Sequence, residues 1–258
     1  MNAGSIIQNL LWGNNEFVES HNRDYFAPHM NGQNTFITML SCSDSRVQPR
    51  LLLPDAINRI FAIENIGNQI SAAEGSVDYG IYHLKTPVLM ILGHSECGAI
   101  KAVMAGYADE PAPIKAELDR LSQAISLVKA HLLACQTINP SQCVSAFQVR
   151  SPPDKLGEPS GSPLPMNKDS DPEKRLLDNI IKNIDYQVGV GVSKYNDLVK
   201  NEKLAVVGAF YDFRNELGEG YGRLIIINVN GEKDSKKIEN TPVFAGTEND
   251  LIFQVVGS

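Results

Sequence analysis

Five short apolar runs, separated by segments with helical periodicity, dominate the pattern of this chain. Each run is rich in branched apolar residues and shows little alternation with polar ones, which is typical of strands covered on both faces of a sheet. The runs are Thr35–Leu40, Ala56–Ile63, Pro87–Leu92, Leu204–Phe210 and Arg223–Val229.

The segments between these runs carry apolar residues at helical spacing. They are Ile70–Leu84, Ile114–Leu133, Pro172–Asp185 and Val188–Lys200. Strands that alternate with helices predict an α/β fold with a mostly parallel central sheet flanked by helices. We expect about four parallel strands. The last run follows the fourth through the short Gly218–Gly222 connection, which fits a hairpin and makes that run an antiparallel edge strand.

The chain is expected to form a single domain over residues 1–258. Residues 1–31 are polar with scattered apolar positions, which predicts a helical N-terminal arm. The stretch Ser151–Pro165 contains five Pro, two Gly and three Ser among its 15 residues and can continue neither a helix nor a strand. We therefore expect an inserted loop region over about residues 135–171.

Composition and charge exclude several classes of protein. The chain has 258 residues, with 23 Lys and Arg against 30 Asp and Glu, and a net charge of −7. No nucleic-acid partner is expected, because binding phosphates needs a basic face. No membrane association is expected, because no apolar run approaches the ~20 residues of a membrane span, and the first residues do not resemble a signal peptide. Four cysteines do not make a disulfide framework in a chain of this size, so we expect a reducing, cytoplasmic setting.

Residues that can bind a metal directly follow two of the apolar runs. Cys42, Asp44 and Arg46 follow the first run, and His94 and Cys97 follow the third. Since the carboxyl ends of parallel strands meet at one edge of a sheet, both groups are expected at the same edge. Two thiolates and one imidazole are ligands that zinc prefers, and the carboxylate offers a fourth. Taken singly, the cysteines could be inert core residues. The two groups together predict a Zn²⁺ site.

These motifs resemble those of the β-class carbonic anhydrases, in particular the plant-like subgroup. The paired motifs Cys-Ser-Asp-Ser-Arg and Gly-His-Ser-x-Cys-Gly are the most specific part of a resemblance that covers roughly residues 30–130 and 172–230. Further matching positions are Gln33, Phe61, Asn65, Asn68, Tyr79, His83, Tyr211 and Asp212. The resemblance implies a zinc lyase that hydrates CO2 reversibly to bicarbonate and a proton, by attack of a zinc-bound hydroxide. It also implies self-association as a dimer or a larger homo-oligomer.

The resemblance assigns the zinc ligands to Cys42, His94 and Cys97 and leaves two roles open for Asp44. This carboxylate either takes the fourth zinc position in a closed form, or pairs with Arg46 and accepts a hydrogen bond from the zinc-bound hydroxide. The alternative without any catalytic role is a surface ion pair, worth about 0–1 kcal/mol.

Further residues are assigned to the substrate and to proton transfer by the same resemblance. Gln33 would donate a hydrogen bond to a substrate oxygen, and Phe61 and Tyr79 would line an apolar CO2 pocket, partly from a neighbouring subunit. The backbone amide of Gly98, at a helix start, would face the anionic product. Phe61 and Tyr79 could instead be ordinary core residues. His83 lies one helical turn after Tyr79 and either relays the proton to buffer or is an ordinary surface histidine.

Three features depart from the plant-like pattern. Glu64 stands where that pattern has arginine, the link between Cys42 and His94 is shorter, and the insertion over residues 135–171 has no counterpart. Two other functions therefore stay open. One is hydrolysis of carbonyl sulfide or carbon disulfide on the same fold, and the other is a non-catalytic scaffold protein stabilised by zinc.

Overall fold

The computed structural model describes residues 2–136 and 171–244, and for residues 128–136 and 244 it describes the backbone alone. The predicted inserted loop region, 135–171, lies almost entirely outside the described residues. The chain divides into two compact units, one ending at Asn34 and the other beginning at Thr35. No helix in the described ranges is long and apolar enough to cross a membrane.

The first unit is built from two helices that follow side-chain caps. The Asn2 side chain accepts a hydrogen bond from the Ser5 amide at the start of α1, and Asn22 accepts from the amides of Asp24 and Tyr25 at the start of α2. The helices are α1 (Ala3–Ser20) and α2 (Arg23–Phe26), followed by a 3-10 turn at Ala27–His29. None of the residues of α1 or α2 is buried.

The second unit contains a five-stranded sheet with the order β2-β1-β3-β4-β5. The strands are β1 (Ile37–Cys42), β2 (Ile60–Asn65), β3 (Val88–His94), β4 (Ala205–Asp212) and β5 (Arg223–Val229). The first four are parallel, whereas β5 pairs antiparallel with β4 at the edge. The predicted α/β class, the mostly parallel sheet and the antiparallel edge strand are confirmed.

Helices and helical turns connect the strands. The helices of the second unit are α3 (Glu74–Asp78), α4 (Gly98–Ala105), α5 (Ala112–Gln136), α6 (Pro172–Lys194), α7 (Asn196–Lys200) and α8 (Ser235–Glu239). Short helical turns lie at Pro49–Leu51, Ile70–Ala72, Tyr79–His83 and Pro242–Phe244. The main buried core packs residues of α3, α4, α5 and α6 on one face of the sheet, and a smaller apolar cluster around Met39, Met90 and Tyr211 lies on the other face.

The predicted helical segment Ile70–Leu84 is helical over most of its length but is not one α-helix. It is divided into a 3-10 turn, α3 and a π-helical turn at Tyr79–His83. The amide of Ile70 donates to the Gln187 side chain instead of extending a helix, at 3.0 Å. Gly80 in the π-helical turn lies so close to Thr38 of β1 that a Cβ atom would come within 2.1 Å of its Oγ1. Contacts with neighbouring elements therefore override the local helical pattern.

The predicted boundary between helices at residues 185–188 is wrong. Helix α6 runs without a break over this stretch, from an N-cap at Asp171 and a proline at the first helical position. The polar Gln187 interrupts the apolar pattern, but it is buried because its side chain bonds to Ile70 and Asn183. Gln187 thus occupies a buried position of the helix, because its polar groups have hydrogen-bond partners. The interruption of the apolar pattern there does not mark the end of a helix.

Close packing of α6 against the sheet depends on small residues in two strands. A Cβ atom at Gly208 of β4 would lie 2.8 Å from Ile184 Cγ2, 2.9 Å from Val188 Cγ2 and 3.1 Å from Asn228 Cβ. These atoms belong to stiff, branched or backbone-near positions that cannot move away easily. Gly93 at the end of β3 meets Ile184 in the same way. The approach of α6 therefore requires glycine at these points.

Replacing Gly208 by alanine is expected to destabilise the fold by about 1–3 kcal/mol, since the added methyl group overpacks the contact between α6 and β4. Urea unfolding at fixed protein concentration measures the change. Gly13→Ala is the matched control, because no atom lies within 4 Å of a Cβ at that position of α1. Equal unfolding midpoints for Gly208→Ala and the unaltered chain would show that α6 does not approach β4 this closely.

Candidate metal centre

Two neighbouring strands bring three buried ligand side chains together. Cys42 ends β1, His94 ends the adjacent parallel strand β3, and Cys97 is the N-cap of α4. One ligand atom from each side chain lies within 4.8 Å of the others. All three side chains are buried, with exposed fractions of 6%, 0% and 2%. The structure therefore assembles at one sheet edge the three residues that the sequence assigns to zinc.

The His94 ring presents a free nitrogen to this cluster. Its Nδ1 lies 2.8 Å from the Ser95 carbonyl oxygen, and a carbonyl accepts only, so Nδ1 carries the proton. The lone pair is then on Nε2, which is buried and has no hydrogen-bond partner. A buried polar atom without a partner is costly in a folded protein. Coordination of a metal by Nε2 would remove that cost.

The two sulfur atoms are spaced as zinc requires. Cys97 Sγ and Cys42 Sγ are 3.9 Å apart. Two sulfurs bound to one tetrahedral zinc, each at about 2.3 Å, would be separated by about 3.8 Å. Two thiols and one imidazole also form a donor set of the softness that zinc prefers. The residues present therefore fit a zinc ion.

The pKa values of the two thiols are shifted in opposite directions. The hydrogen bond with Cys42 lowers the pKa of Cys97, and the amides of Ile100 and Ala99 at the start of α4 lower it further. The same hydrogen bond and burial raise the pKa of Cys42. Cys97 is therefore the more acidic of the two thiols. Metal binding displaces the protons of thiol ligands.

Asp44 lies beside the cluster and is held by Arg46. Arg46 Nε donates to Asp44 Oδ1 at 2.8 Å, and Arg46 Nη2 donates to Asp44 Oδ2 at 2.6 Å. These bonds hold the pKa of Asp44 well below its ordinary value, so the carboxylate is ionised. Asp44 Oδ2 is also 3.8 Å from His94 Nε2. The carboxylate is therefore close enough to reach a metal at the cluster, but both of its oxygens are bonded to the guanidinium.

Residues at the end of β4 also contact the site, although they lie far in sequence from both zinc motifs. The ring of Phe213 stacks on His94 with 6.3 Å between ring centroids, and the Arg46 guanidinium lies 4.7 Å above the Phe213 ring. Buried Asp212 accepts a hydrogen bond from the Ser95 hydroxyl at 3.2 Å. These residues lie at the carboxyl end of a parallel strand, and such ends meet at one sheet edge. That position is the feature of the sequence that could have indicated a place in the site.

A backbone amide from the loop after β2 completes the surroundings of Cys42. Gly67 donates its N–H to Cys42 Sγ at 3.5 Å. Gly67 has a φ of 77°, a conformation that favours glycine, and a Cβ atom there would lie 2.8 Å from Leu121. The strand order brings β2 next to β1, so a residue far from both zinc motifs in sequence reaches the sulfur.

The remaining assigned residues lie elsewhere in the single chain. Phe61 pairs with Thr38 in the sheet, whereas Cys42 pairs with Asn65. Four residues of strand, about 13 Å, therefore separate the register positions of Phe61 and Cys42. The ring of Tyr79 lies 5.8 Å from that of Phe61 and 4.4 Å from that of His83. These three aromatic residues pack on one another, and the register position of Phe61 is distant from that of Cys42.

Three further residues from the sequence analysis, Gln33, Gly98 and Glu64, are exposed on the surface. Gln33 is exposed in the first unit, and Gly98 is exposed at the first position of α4, directly after Cys97. Glu64 is exposed on β2, in register with Ser41. Nothing in the structure explains its replacement of arginine.

Comparisons with known proteins agree with the site. Residues 37–158 match the family model described as carbonic anhydrase. A carbonic anhydrase of Synechococcus elongatus is 34% identical over 106 residues, which is 38% of this chain and 39% of that protein. Carbonic anhydrase 2 of Mycobacterium tuberculosis is 29% identical over 125 residues, or 45% of this chain and 60% of that protein. The chain thus spans less than two thirds of the length of each of these relatives.

Solved structures share the fold over most of the chain. The β-carbonic anhydrase CcaA has a TM-score of 0.63 at 22% identity, covering 87% of this chain and 88% of the other. A tetrameric β-carbonic anhydrase of Sordaria macrospora has a TM-score of 0.59 at 18% identity, covering 86% and 97%. The sheet and the buried cluster define an α/β protein with a Cys–His–Cys metal site at its carboxyl edge. Residues 37–158 are thus similar to the carbonic anhydrase family, and the fold is that of the β-class carbonic anhydrases.

Removing one ligand is expected to abolish tight zinc binding. The unaltered chain should bind about one zinc ion. Cys97→Ser should weaken binding by more than the about 10- to 100-fold typical of changing a residue that only orients a ligand. Equilibrium dialysis against a competing chelator measures the affinity, and Ser45→Ala, in the exposed loop beside the site, is the control. Unchanged affinity in Cys97→Ser would exclude this cysteine as a ligand.

Proposed function

We propose that this chain catalyses the reversible hydration of CO2 to bicarbonate and a proton. The observation that carries the proposal is the buried Cys–His–Cys cluster with an ionised carboxylate beside it. The match of residues 37–158 to the carbonic anhydrase family model adds support. A purely structural zinc site would have no use for the Asp44–Arg46 pair.

Cys42, His94 and Cys97 would hold the zinc. Bound there, the ion would act as a Lewis acid that makes water a nucleophile near neutral pH. Asp44 is ionised and can accept a hydrogen bond from the attacking water, which orients its lone pair toward the carbon of CO2. Arg46 keeps the carboxylate ionised and fixes its orientation through two hydrogen bonds.

Asp44 has a second proposed role as a gate. Only 15% of its side chain is exposed, and its Oδ2 lies 3.8 Å from His94 Nε2. If Arg46 released it, the carboxylate could become the fourth zinc ligand and close the site to substrate. Pairing with Arg46 therefore favours the open form.

The substrate pocket is proposed to be completed by a second copy of the chain. The register position of Phe61 is about 13 Å from that of Cys42 and Tyr79 packs beside Phe61, while Tyr79 is 43% exposed and available to a neighbour. The apolar side chains of α1 also support self-association, because Leu10, Leu11 and Trp12 are each more than 60% exposed. In this proposed assembly, Gln33 would donate a hydrogen bond to a substrate oxygen. The exposed Gly98 amide would face the bicarbonate product.

The cytoplasm is the proposed location. Cys42 and Cys97 are free thiols only 3.9 Å apart. A reducing compartment would keep them available for the metal.

Stopped-flow measurement of CO2 hydration tests the proposed function. The zinc-loaded chain should hydrate CO2 well above the buffer rate and lose this activity with a chelator. Arg46→Gln should lower kcat/KM by about 10²- to 10⁴-fold, because the carboxylate that orients the water loses its support. Arg50→Gln, an exposed residue in the following turn, is the matched control.

Two results of this assay would favour the other functions. Fully zinc-loaded protein without hydration above background would favour a zinc-stabilised scaffold. Faster turnover of carbonyl sulfide or carbon disulfide than of CO2, in parallel assays, would favour hydrolysis of those substrates.

His83 is proposed to pass the proton to buffer. It is exposed and stacks on Tyr79, so it can exchange protons with solvent. His83→Ala should lower the maximal turnover in weak buffer, and added imidazole should restore it. The control is the same comparison in concentrated buffer, where little difference is expected. Equal turnover of both proteins in weak buffer would eliminate the shuttle.

A further inference from the structure

Three consecutive residues at the end of β4 each contact a different part of the metal centre. Asp212 holds Ser95, Phe213 packs against His94 and Arg46, and Arg214 contacts Glu96. The contacted residues Ser95 and Glu96 lie between two of the metal ligands. This segment, residues 212–214, therefore fixes the loop that connects His94 to Cys97.

We propose that Arg214 is a positioning residue for the Asp44–Arg46 pair and acts through Glu96. The proposal rests on the proposed function, since it concerns the residues that would orient the attacking water. Arg214 itself has no contact with Asp44 or Arg46 among the hydrogen bonds and ion pairs of the described residues. Its effect has to pass through the chain at Glu96.

Glu96 links the two arginines through different groups. Its carbonyl oxygen accepts a hydrogen bond from Arg46 Nη2 at 3.3 Å, and this is the same nitrogen that donates to Asp44 Oδ2. Its side-chain carboxylate pairs with Arg214 Nη1 on one oxygen and with Lys101 on the other. The position of the Glu96 peptide thus helps to set where the guanidinium of Arg46 lies.

The backbone of Glu96 needs such support. Its φ is 58°, in the left-handed region that residues with a side chain adopt infrequently. Lys101 lies on helix α4, which directly follows the same loop. Arg214 instead connects Glu96 to other elements, because its Nη2 contacts Glu173 of α6 and its amide donates to Asp212 Oδ1 at 3.1 Å. Arg214 therefore anchors the strained residue to the body of the domain.

Loss of Arg214 would free one oxygen of the Glu96 carboxylate. The Glu96 peptide could then leave the left-handed region, and its carbonyl would move away from Arg46. The Arg46 guanidinium would keep its contacts with Asp44 and with the Phe213 ring but lose the hydrogen bond to the Glu96 carbonyl oxygen. The carboxylate of Asp44 would be held less firmly in the orientation that favours the open form.

The test compares Arg214→Gln with Arg214→Lys and with Arg223→Gln. The glutamine variant should lower kcat/KM by about 10-fold or more at unchanged zinc content, as changes in residues that orient site groups do. The lysine variant should recover most of this loss, because it can restore the contact with Glu96. Arg223 is an exposed arginine at the start of β5 whose Nε donates to the Glu219 carbonyl, so Arg223→Gln is the matched control.

Action through Glu96 is tested by a double-mutant cycle. Glu96→Gln should reproduce the loss, and the double variant Glu96→Gln/Arg214→Gln should be no worse than Arg214→Gln alone. Additive losses would overturn the proposal, because the two residues would then act independently. A loss in Arg214→Gln that the lysine variant does not recover would also overturn it.

A crystal structure of Arg214→Gln gives a readout that does not depend on activity. The Arg46 Nη2 to Glu96 carbonyl contact should be lost, and the Asp44 carboxylate should change its orientation. An unchanged Asp44–Arg46 pair in that structure would overturn the proposal. If the unaltered chain failed to hydrate CO2, the proposed function would be wrong, but this structural comparison would still decide the role of Arg214.

Discussion

The site depends on one constraint: three buried ligand atoms must lie close enough together to bind one ion. Parallel pairing of β1 with β3 satisfies it, because Cys42 and His94 end adjacent strands and Cys97 follows within one turn. Burial of two thiols and an imidazole without a metal leaves the Nε2 atom without a partner. The same burial that makes the metal-free cluster costly makes it a strong site for zinc.

Polar residues around the cluster fix the loops that carry its side chains. Asp212 is fully buried and accepts bonds from the amides of Arg214, Glu216 and Leu217 in addition to the Ser95 hydroxyl. A buried carboxylate with so many donors is well satisfied and rigid. The turn after β4 and the loop between the ligands are thus joined at one residue. The turn after β4 therefore supports the loop between His94 and Cys97.

The strands and the meeting of Cys42, His94 and Cys97 at one sheet edge could be predicted from sequence because each depends on short-range pattern. Apolar runs indicate buried strands, and ligand residues directly after them lie at the carboxyl edge whatever the exact strand order. The break of the helix after Ile70 depends instead on Gln187 and Thr38, which are distant in sequence. The same is true of Phe213, and the separation of Phe61 from Cys42 follows from strand register. Such contacts leave no local signal in a single sequence.

The hydrogen bond from Gly67 to the sulfur of Cys42 has a consequence for the electronic character of the site. Two thiolates donate more charge to a metal than imidazoles do, which lowers its power to polarise water. An N–H group directed at a sulfur withdraws part of that charge. The donor here is a main-chain amide, so a scan that exchanges side chains one by one would leave it in place. Part of the tuning of this centre is therefore carried by the path of the backbone.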